Sequence, residues 1–325
     1  MLISSGALAL LTLALAWPVP VYLSRAQWPH RAPATALVVW QAVALAGGLS
    51  MIGALACFGL APYGHTLIGG MSDFITRLST GTLPPTGTFL HMFALSSAIL
   101  LFGHLLLNLG LVAVWEHRSR SRHRALVDLL SDPSPDLPGV RLIQQEAPVA
   151  YCLPGTTRSL TVLSRGLIAI LGPEQLMAVT EHERAHLRQG HHLVLLAFRA
   201  WRRSLPWFPM AKQAQNAVGM LVEMRADDRA RKIVPDRTLA SAITAIATGQ
   251  ACAIGDVRAV TPQPAIMTDP GGGVSDAAAG AHARVIRLVE HPEPLAVLPR
   301  LLAWSCAVSL LAVPTVLLVV PGLPR

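Results

Sequence analysis

Between Glu181 and His192 the chain reads EHERAHLRQGHH, and His182, Glu183 and His186 within it form an H-E-x-x-H pattern. Residues four apart share one face of a helix, so the two imidazoles point the same way and can hold one metal ion. Neutral imidazole suits zinc. A glutamate beside the first histidine stands where it can take a proton from water polarised by the metal, so the expected chemistry is hydrolysis with Glu183 as general base. The chain has 12 His, and random order would give the pattern only about 0.01 times. A helix with surface histidines is the competing, non-catalytic reading.

A hydrolytic zinc takes three protein ligands and keeps one position open. Glu223, in Glu223-Met224-Arg225-Ala226-Asp227, is the expected third ligand, on a helix over 211–232. Asp227, one turn on, is placed to accept the spare N–H of a ligand histidine and fix its tautomer. Set against this is a solvated acidic patch answering Arg225, Arg229 and Arg231. His191 and His192 follow Gly190 and read as lying past a turn, as surface or secondary-site histidines rather than primary ligands. An oxyanion stabiliser would come from the basic residues His282, Arg284 and Arg287, among which the sequence does not choose.

The elements that must position these groups follow from the surrounding sequence. Pro173-Glu174 suits the first turn of a motif helix over 173–189, because proline is tolerated there and an acid favours the helix dipole. Leu176, Val179, Thr180 and Leu187 give that helix an inward stripe. Ser164 and Gly172 are candidate helix starts. The β-prone runs within 140–164 predict a hairpin and a small sheet, whose edge could pair with an extended substrate by strand addition or serve structure alone. Residues 132–138, DPSPDLP, read as a linker without regular structure. A short apolar helix over 193–201 leads to Pro206-Trp207-Phe208-Pro209, a segment suited to a membrane interface. Residues 254–280, rich in Gly and Pro, are expected to form a mobile loop.

At 52% hydrophobic and 14% charged, with a mean hydropathy of +0.49, the chain is too apolar for an ordinary soluble domain. Four apolar stretches, 2–23, 34–60, 89–115 and 295–320, are long enough to span a bilayer, which needs about 20 helical residues. In the second, Gly47, Gly48 and Gly53 suit close helix approach. In the third, His104 and Asn108 share a face and favour interhelical hydrogen bonding. The division expected is a three-span region over 1–115, a polar cytoplasmic domain over 116–294, and a fourth span with a short tail over 295–325. The net charge of +8 concentrates at membrane ends, in Arg25, Arg31 and the run EHRSRSRHR at 116–124, whereas the loop 61–88 has little charge. The positive-inside rule then places the polar domain in the cytoplasm and both termini outside. This points to anionic lipid as a partner, with no direct nucleic-acid contact expected. Ala14-Leu15-Ala16 resembles a signal cleavage site, but no Lys or Arg precedes the apolar run, so the first stretch reads as a span. Cys57, Cys152, Cys252 and Cys306 have neither paired nor metal-type spacing.

Three spans, a basic juncture, a hairpin, HERAH, Trp207-Phe208-Pro209, EMRAD and a fourth span together resemble the BlaR/MecR-type family of membrane zinc metallopeptidases, the antirepressor peptidases of antibiotic-resistance signalling. The resemblance covers most of the chain. It implies a four-span α-helical membrane protein with a mainly α, α+β, zincin-like peptidase domain of gluzincin type carrying a small sheet. It also implies zinc on His182, His186 and Glu223, with Glu183 as base, Asp227 behind the ligands, and a cytoplasmic transcriptional repressor as the protein substrate. Two positions depart from the pattern: Arg184 stands where an apolar residue is usual, and His191 where Asp is frequent. The family's receptors also continue into an extracellular penicillin-binding sensor, which is not expected in this polypeptide ending at Arg325. HtpX-like or CAAX-type quality-control or processing peptidases share the H-E-x-x-H and E-x-x-A-D patterns and form the close alternative. A non-catalytic membrane receptor or scaffold is the alternative of another class.

Overall fold

The computed structural model describes the chain except residues 83–87, 135–139, 154–159, 207–208, 257–273 and 320–325, and the side chains of 88, 209–210, 250–256 and 274–277. Its elements in order are α1 (Leu2–Ala16), α2 (Pro18–Arg25), α3 (Trp28–Arg31), α4 (Pro33–Leu60), α5 (Leu67–Thr80) and α6 (Thr88–Leu130), then β1 (Ser131–Pro133), β2 (Val140–Ile143), β3 (Ala150–Leu153) and β4 (Leu160–Ser164). There follow α7 (Arg165–Ile170), α8 (Pro173–Arg188), α9 (His191–Ser204), α10 (Pro209–Ala230), α11 (Asp236–Asp256), α12 (Val274–Glu290) and α13 (Val297–Val319). The chain divides into two compact units, one of Met1–Leu111, Ala197–Val218 and Leu295–Arg325, the other of Val112–Leu196 and Gly219–Pro294.

The four expected apolar stretches are helices long and apolar enough to cross a membrane: Leu2–Arg25, Pro33–Leu60, Phe89–Leu130 and Val297–Val319, all in the first unit except the part of the third beyond Leu111. Their flanks leave Ile3, Leu10, Leu100, Leu107 and Val308 exposed, as lipid-facing helices do. Leu8, Ala54 and Cys57 form a buried cluster against Leu317 and Leu318. Close approach rests on one glycine that the sequence indicated, Gly53, and on Gly59, which it did not. A Cβ on Gly53 would meet Leu318 at 2.8 Å, and one on Gly59 would meet the Leu95 backbone nitrogen at 2.8 Å, whereas Gly48 has open space. The loop 61–88 contains helix α5, started by Thr66, whose Oγ1 accepts from the Gly69 N–H, and ended by Gly81 at φ 69°. The expected interhelical bond is present: His104 Nε2 lies 3.1 Å from the Ser204 carbonyl oxygen on α9, and Asn108 donates to the His104 carbonyl.

The second unit joins a four-stranded sheet, ordered β1-β2-β4-β3, to helices. β3 and β4 make the expected hairpin, antiparallel with Cys152 opposite Thr161, while β2 runs parallel to β4. The linker expectation for 132–138 needs correction at its start. Ser131–Pro133 pairs with β2 as an edge strand, a place where a proline without an N–H costs no ladder bond. Ser164 caps α7 by accepting from the Leu167 N–H. Gln175 Oε1 accepts from the Gly172 N–H ahead of α8. Helix α8 packs through Val179 into a core with Val140, Leu163, Leu167, Leu171 and Ala242. On its other flank, Ala178 joins Ala230, Leu239, Ile243 and Leu288. Of the mobile loop expected over 254–280, both ends are helical, 254–256 in α11 and 274–280 in α12, while 257–273 lie outside the described residues. The Trp207-Phe208 part of the proposed interfacial segment also lies outside them.

Candidate metal centre

The motif helix α8 buries an unusual set for an amphipathic surface helix: Glu181, His182, Glu183 and Ala185 all face inward. Buried ionisable groups are tolerated when paired, and each of these has partners. Glu181 pairs with Arg184 at 2.6 Å and with Arg188 at 3.5 Å, so the departure at Arg184 is accommodated by a local ion pair. One turn apart, His182 and His186 bring their Nε2 atoms to 3.1 Å.

Helix α10 supplies the opposing wall. Glu223 Oε2 lies 3.3 Å from His182 Nε2, and its Oε1 lies 3.4 Å from His186 Nε2. These are the donor groups able to share an ion among the described residues. Their spacing is compatible with zinc: arms of 2.0–2.1 Å in a tetrahedron imply donor separations of about 3.3–3.4 Å, near the 3.1 Å between the two nitrogens and the 3.3 and 3.4 Å from each nitrogen to a different oxygen of Glu223. Two imidazole nitrogens and a carboxylate also suit zinc chemically. One turn along α10, Asp227 Oδ1 approaches His182 Nδ1 at 2.9 Å. With a side chain only 1% exposed, Asp227 is no member of a solvated acidic patch.

Arg284, from α12, is the residue whose place the sequence left undecided. Its Nε and Nη2 grip both oxygens of Asp227 at 2.7 Å, and its Nη1 lies 3.1 Å from Glu223 Oε2. The guanidinium therefore clamps the two carboxylates together. Of the other basic candidates, Arg287 bonds to Asp228 at 2.7 Å, and His282 is exposed.

The electrostatics follow from burial set against pairing. Burial opposes the charge on His182, but the bonds to Asp227 and Glu223 outweigh it and push its pKa up to about 9. Burial lowers His186 to about 4. For Glu223, burial is overcome by the His186 and His182 rings and Arg284, which hold the carboxyl well below the usual range. Asp227, also buried, is held down to about 2 by Arg284 and His182. Glu183 goes the other way. Burial pushes its carboxyl up to about 8, although His182 and the Cys152 backbone N–H both favour the anion.

Of the two expectations for His191, a surface or a secondary-site residue, the surface one does not hold. His191 does lie past a turn, since Gly190 has φ 61°, but it is 3% exposed. Its Nδ1 lies 3.1 Å from His186 Nδ1. His191 and the carboxylate clamp of Arg284 are the parts that spacing alone did not identify. A glycine following the motif helix was the available signal that the next residues fold back.

Comparison with known proteins adds a partial similarity to this geometry. No curated protein and no solved structure matches the chain. Residues 116–255, under half of the chain, match the model of Peptidase family M48, whose members are metal-dependent peptidases, typically with zinc. That stretch contains the H-E-x-x-H helix, Glu223 and Asp227. The similarity supports a metallopeptidase.

Proposed function

We propose that this protein is a membrane-embedded zinc endopeptidase hydrolysing peptide bonds at the cytoplasmic membrane face, with His182, His186 and Glu223 as metal ligands and Glu183 as the proton carrier. The observation that carries the reading is the convergence of two imidazole nitrogens, 3.1 Å apart, with a carboxylate that sets one oxygen 3.3 Å from the first and the other 3.4 Å from the second, beside a buried carboxyl. Bound zinc supplies Lewis-acid polarisation of a carbonyl and lowers the pKa of water. Glu183 takes the proton at its carboxylate and returns it to the leaving amine. Its raised pKa suits that double duty near neutral pH. Asp227 accepts the Nδ1 proton of His182, which leaves the Nε2 lone pair directed at the ligand cluster. Arg284 keeps both carboxylates ionised and aligned.

An extended polypeptide is the substrate class that the site favours. Among the described residues β3 pairs with β4 alone, and the Cys152 N–H on β3 donates to Glu183. A chain adding to that edge would gain main-chain hydrogen bonds next to the proton carrier, whatever its sequence. Cleavage of a cytoplasmic transcriptional repressor in a signalling response is the substrate suggested by the resemblance. The edge strand, which demands extended backbone rather than a particular sequence, favours HtpX-like or CAAX-type processing as the second reading. The basic residues flanking the first and third spans support a multi-pass topology with the polar unit in the cytoplasm and both termini outside. Tethering would then raise the effective concentration of membrane-adjacent substrates.

The test is the zinc content of purified wild type, His186→Ala and Glu183→Gln, combined with proteolysis of candidate repressors and of unfolded membrane proteins. About one zinc per chain is expected, lost in His186→Ala and kept in Glu183→Gln, with turnover by the latter falling about 10²–10⁴-fold. A cellular role that survives Glu183→Gln would favour the receptor or scaffold reading instead.

A further inference from the structure

Two imidazole nitrogens 3.1 Å apart, His186 Nδ1 and His191 Nδ1, make a hydrogen bond only if one carries the proton and the other the lone pair. The surroundings decide which. His186 presents Nε2 to His182 Nε2 and to Glu223 Oε1, and a nitrogen that binds metal there keeps its lone pair, so the neutral ring carries its proton on Nδ1. His191 Nδ1 is then the acceptor, and its own proton sits on Nε2. That atom lies 3.2 Å from Gln189 Oε1, which can only accept. All three directions agree, running His186 to His191 to Gln189.

We propose that His191 is a positioning residue that fixes the tautomer and ring orientation of His186, as Asp227 does for His182; this rests on the metal site proposed above. The local fold is built for it. Gln189 ends α8, Gly190 turns the chain at φ 61°, and His191 opens α9 with its ring edge-on to His186, at a centroid distance of 4.9 Å and an interplanar angle of 85°. The two ligand histidines are thus held differently, one by a carboxylate and the other by a neutral imidazole backed by an amide. A carboxylate placed at 191 would accept the same hydrogen bond.

The test compares zinc affinity, by chelator competition, in wild type, His191→Phe, His191→Ala and His191→Asp, together with the visible spectrum of the cobalt-loaded forms. Melting of the metal-free proteins identifies variants that retain the fold. Loss of an acceptor behind a ligand histidine weakens metal binding by about 10–100-fold. That loss is expected for His191→Phe and His191→Ala, with a shifted cobalt spectrum, and His191→Asp should restore both. Wild-type affinity in either acceptor-free variant overturns the inference and leaves the metal site standing. Equal loss in all three variants also overturns it, because a histidine that only fills space would behave that way. Wild type that binds neither zinc nor cobalt defeats the metal site itself and this inference with it.

Discussion

At the scale of single residues, the centre combines two carboxyl groups in opposite states within one buried site. Glu223 is held ionised by His186, His182 and Arg284, whereas Glu183 is pushed toward its neutral form by burial. The difference has a measurable consequence in the metal-free protein. Glu183 rises from 4.5 to about 8 on folding, so between those values unfolding releases a proton. The stability it contributes is complete below 4.5, the unperturbed value, and is lost as pH rises toward 8. Other groups titrate in the same window, so the informative quantity is the difference between wild type and Glu183→Gln. Chelator-treated wild type should lose stability relative to Glu183→Gln between pH 5 and pH 8, measured by thermal melting. Parallel curves would show that Glu183 is not held neutral by its surroundings.

At the scale of elements, backbone contacts that no periodicity encodes decide where the helices and strands meet. Gly166, in the first turn of α7, donates its N–H to the Gln145 carbonyl at 3.0 Å, and a Cβ there would stand 1.6 Å from the Glu146 carbonyl oxygen. Because the obstacle is backbone, Gly166→Ala cannot be absorbed by a side-chain rotation. It is expected to destabilise the polar unit toward the upper end of the roughly 1–3 kcal/mol typical of overpacking. Gly48→Ala, with open space around it, should be neutral or stabilising by up to about 1 kcal/mol. Equal melting temperatures for the two variants would refute the assignment of Gly166 as a close-approach position.

At the scale of the whole molecule, charge placement rather than packing determines the orientation proposed for the spans. α6 has 43 residues, about 64 Å of helix against a hydrocarbon core about 30 Å thick, so a single crossing would leave a long continuation of the helix. Its basic run, with Arg118 and Arg122 exposed, sits on that continuation. Single cysteines at Ser79 and Ser121, both exposed, test the orientation. An impermeant thiol reagent should label Ser79→Cys on intact cells, and Ser121→Cys only after permeabilisation. The reverse pattern would place the polar unit outside and remove cytoplasmic repressors from the possible substrates.

Local order in the chain alone carried the four apolar helices, the helical spacing of His182 and His186, and the β3–β4 hairpin, because 3.6-residue periodicity, span length and alternating β-prone runs are properties of neighbours in sequence. The sequence also singled out Glu223 and Asp227, though only their spacing on one helix was legible there. Their distances to the histidines depend on α10 lying across α8. Tertiary structure decided the remainder. Arg284 meets Asp227 across 57 positions of sequence, so its clamp is written in no local pattern. His191 is near His186 in sequence, yet its burial depends on the left-handed turn at Gly190 and on the packing that dehydrates the ring. The parallel pairing of β2 with β4 and the close approach at Gly59 are likewise contacts between segments, determined by which surfaces bury each other and not by the preferences of either segment alone.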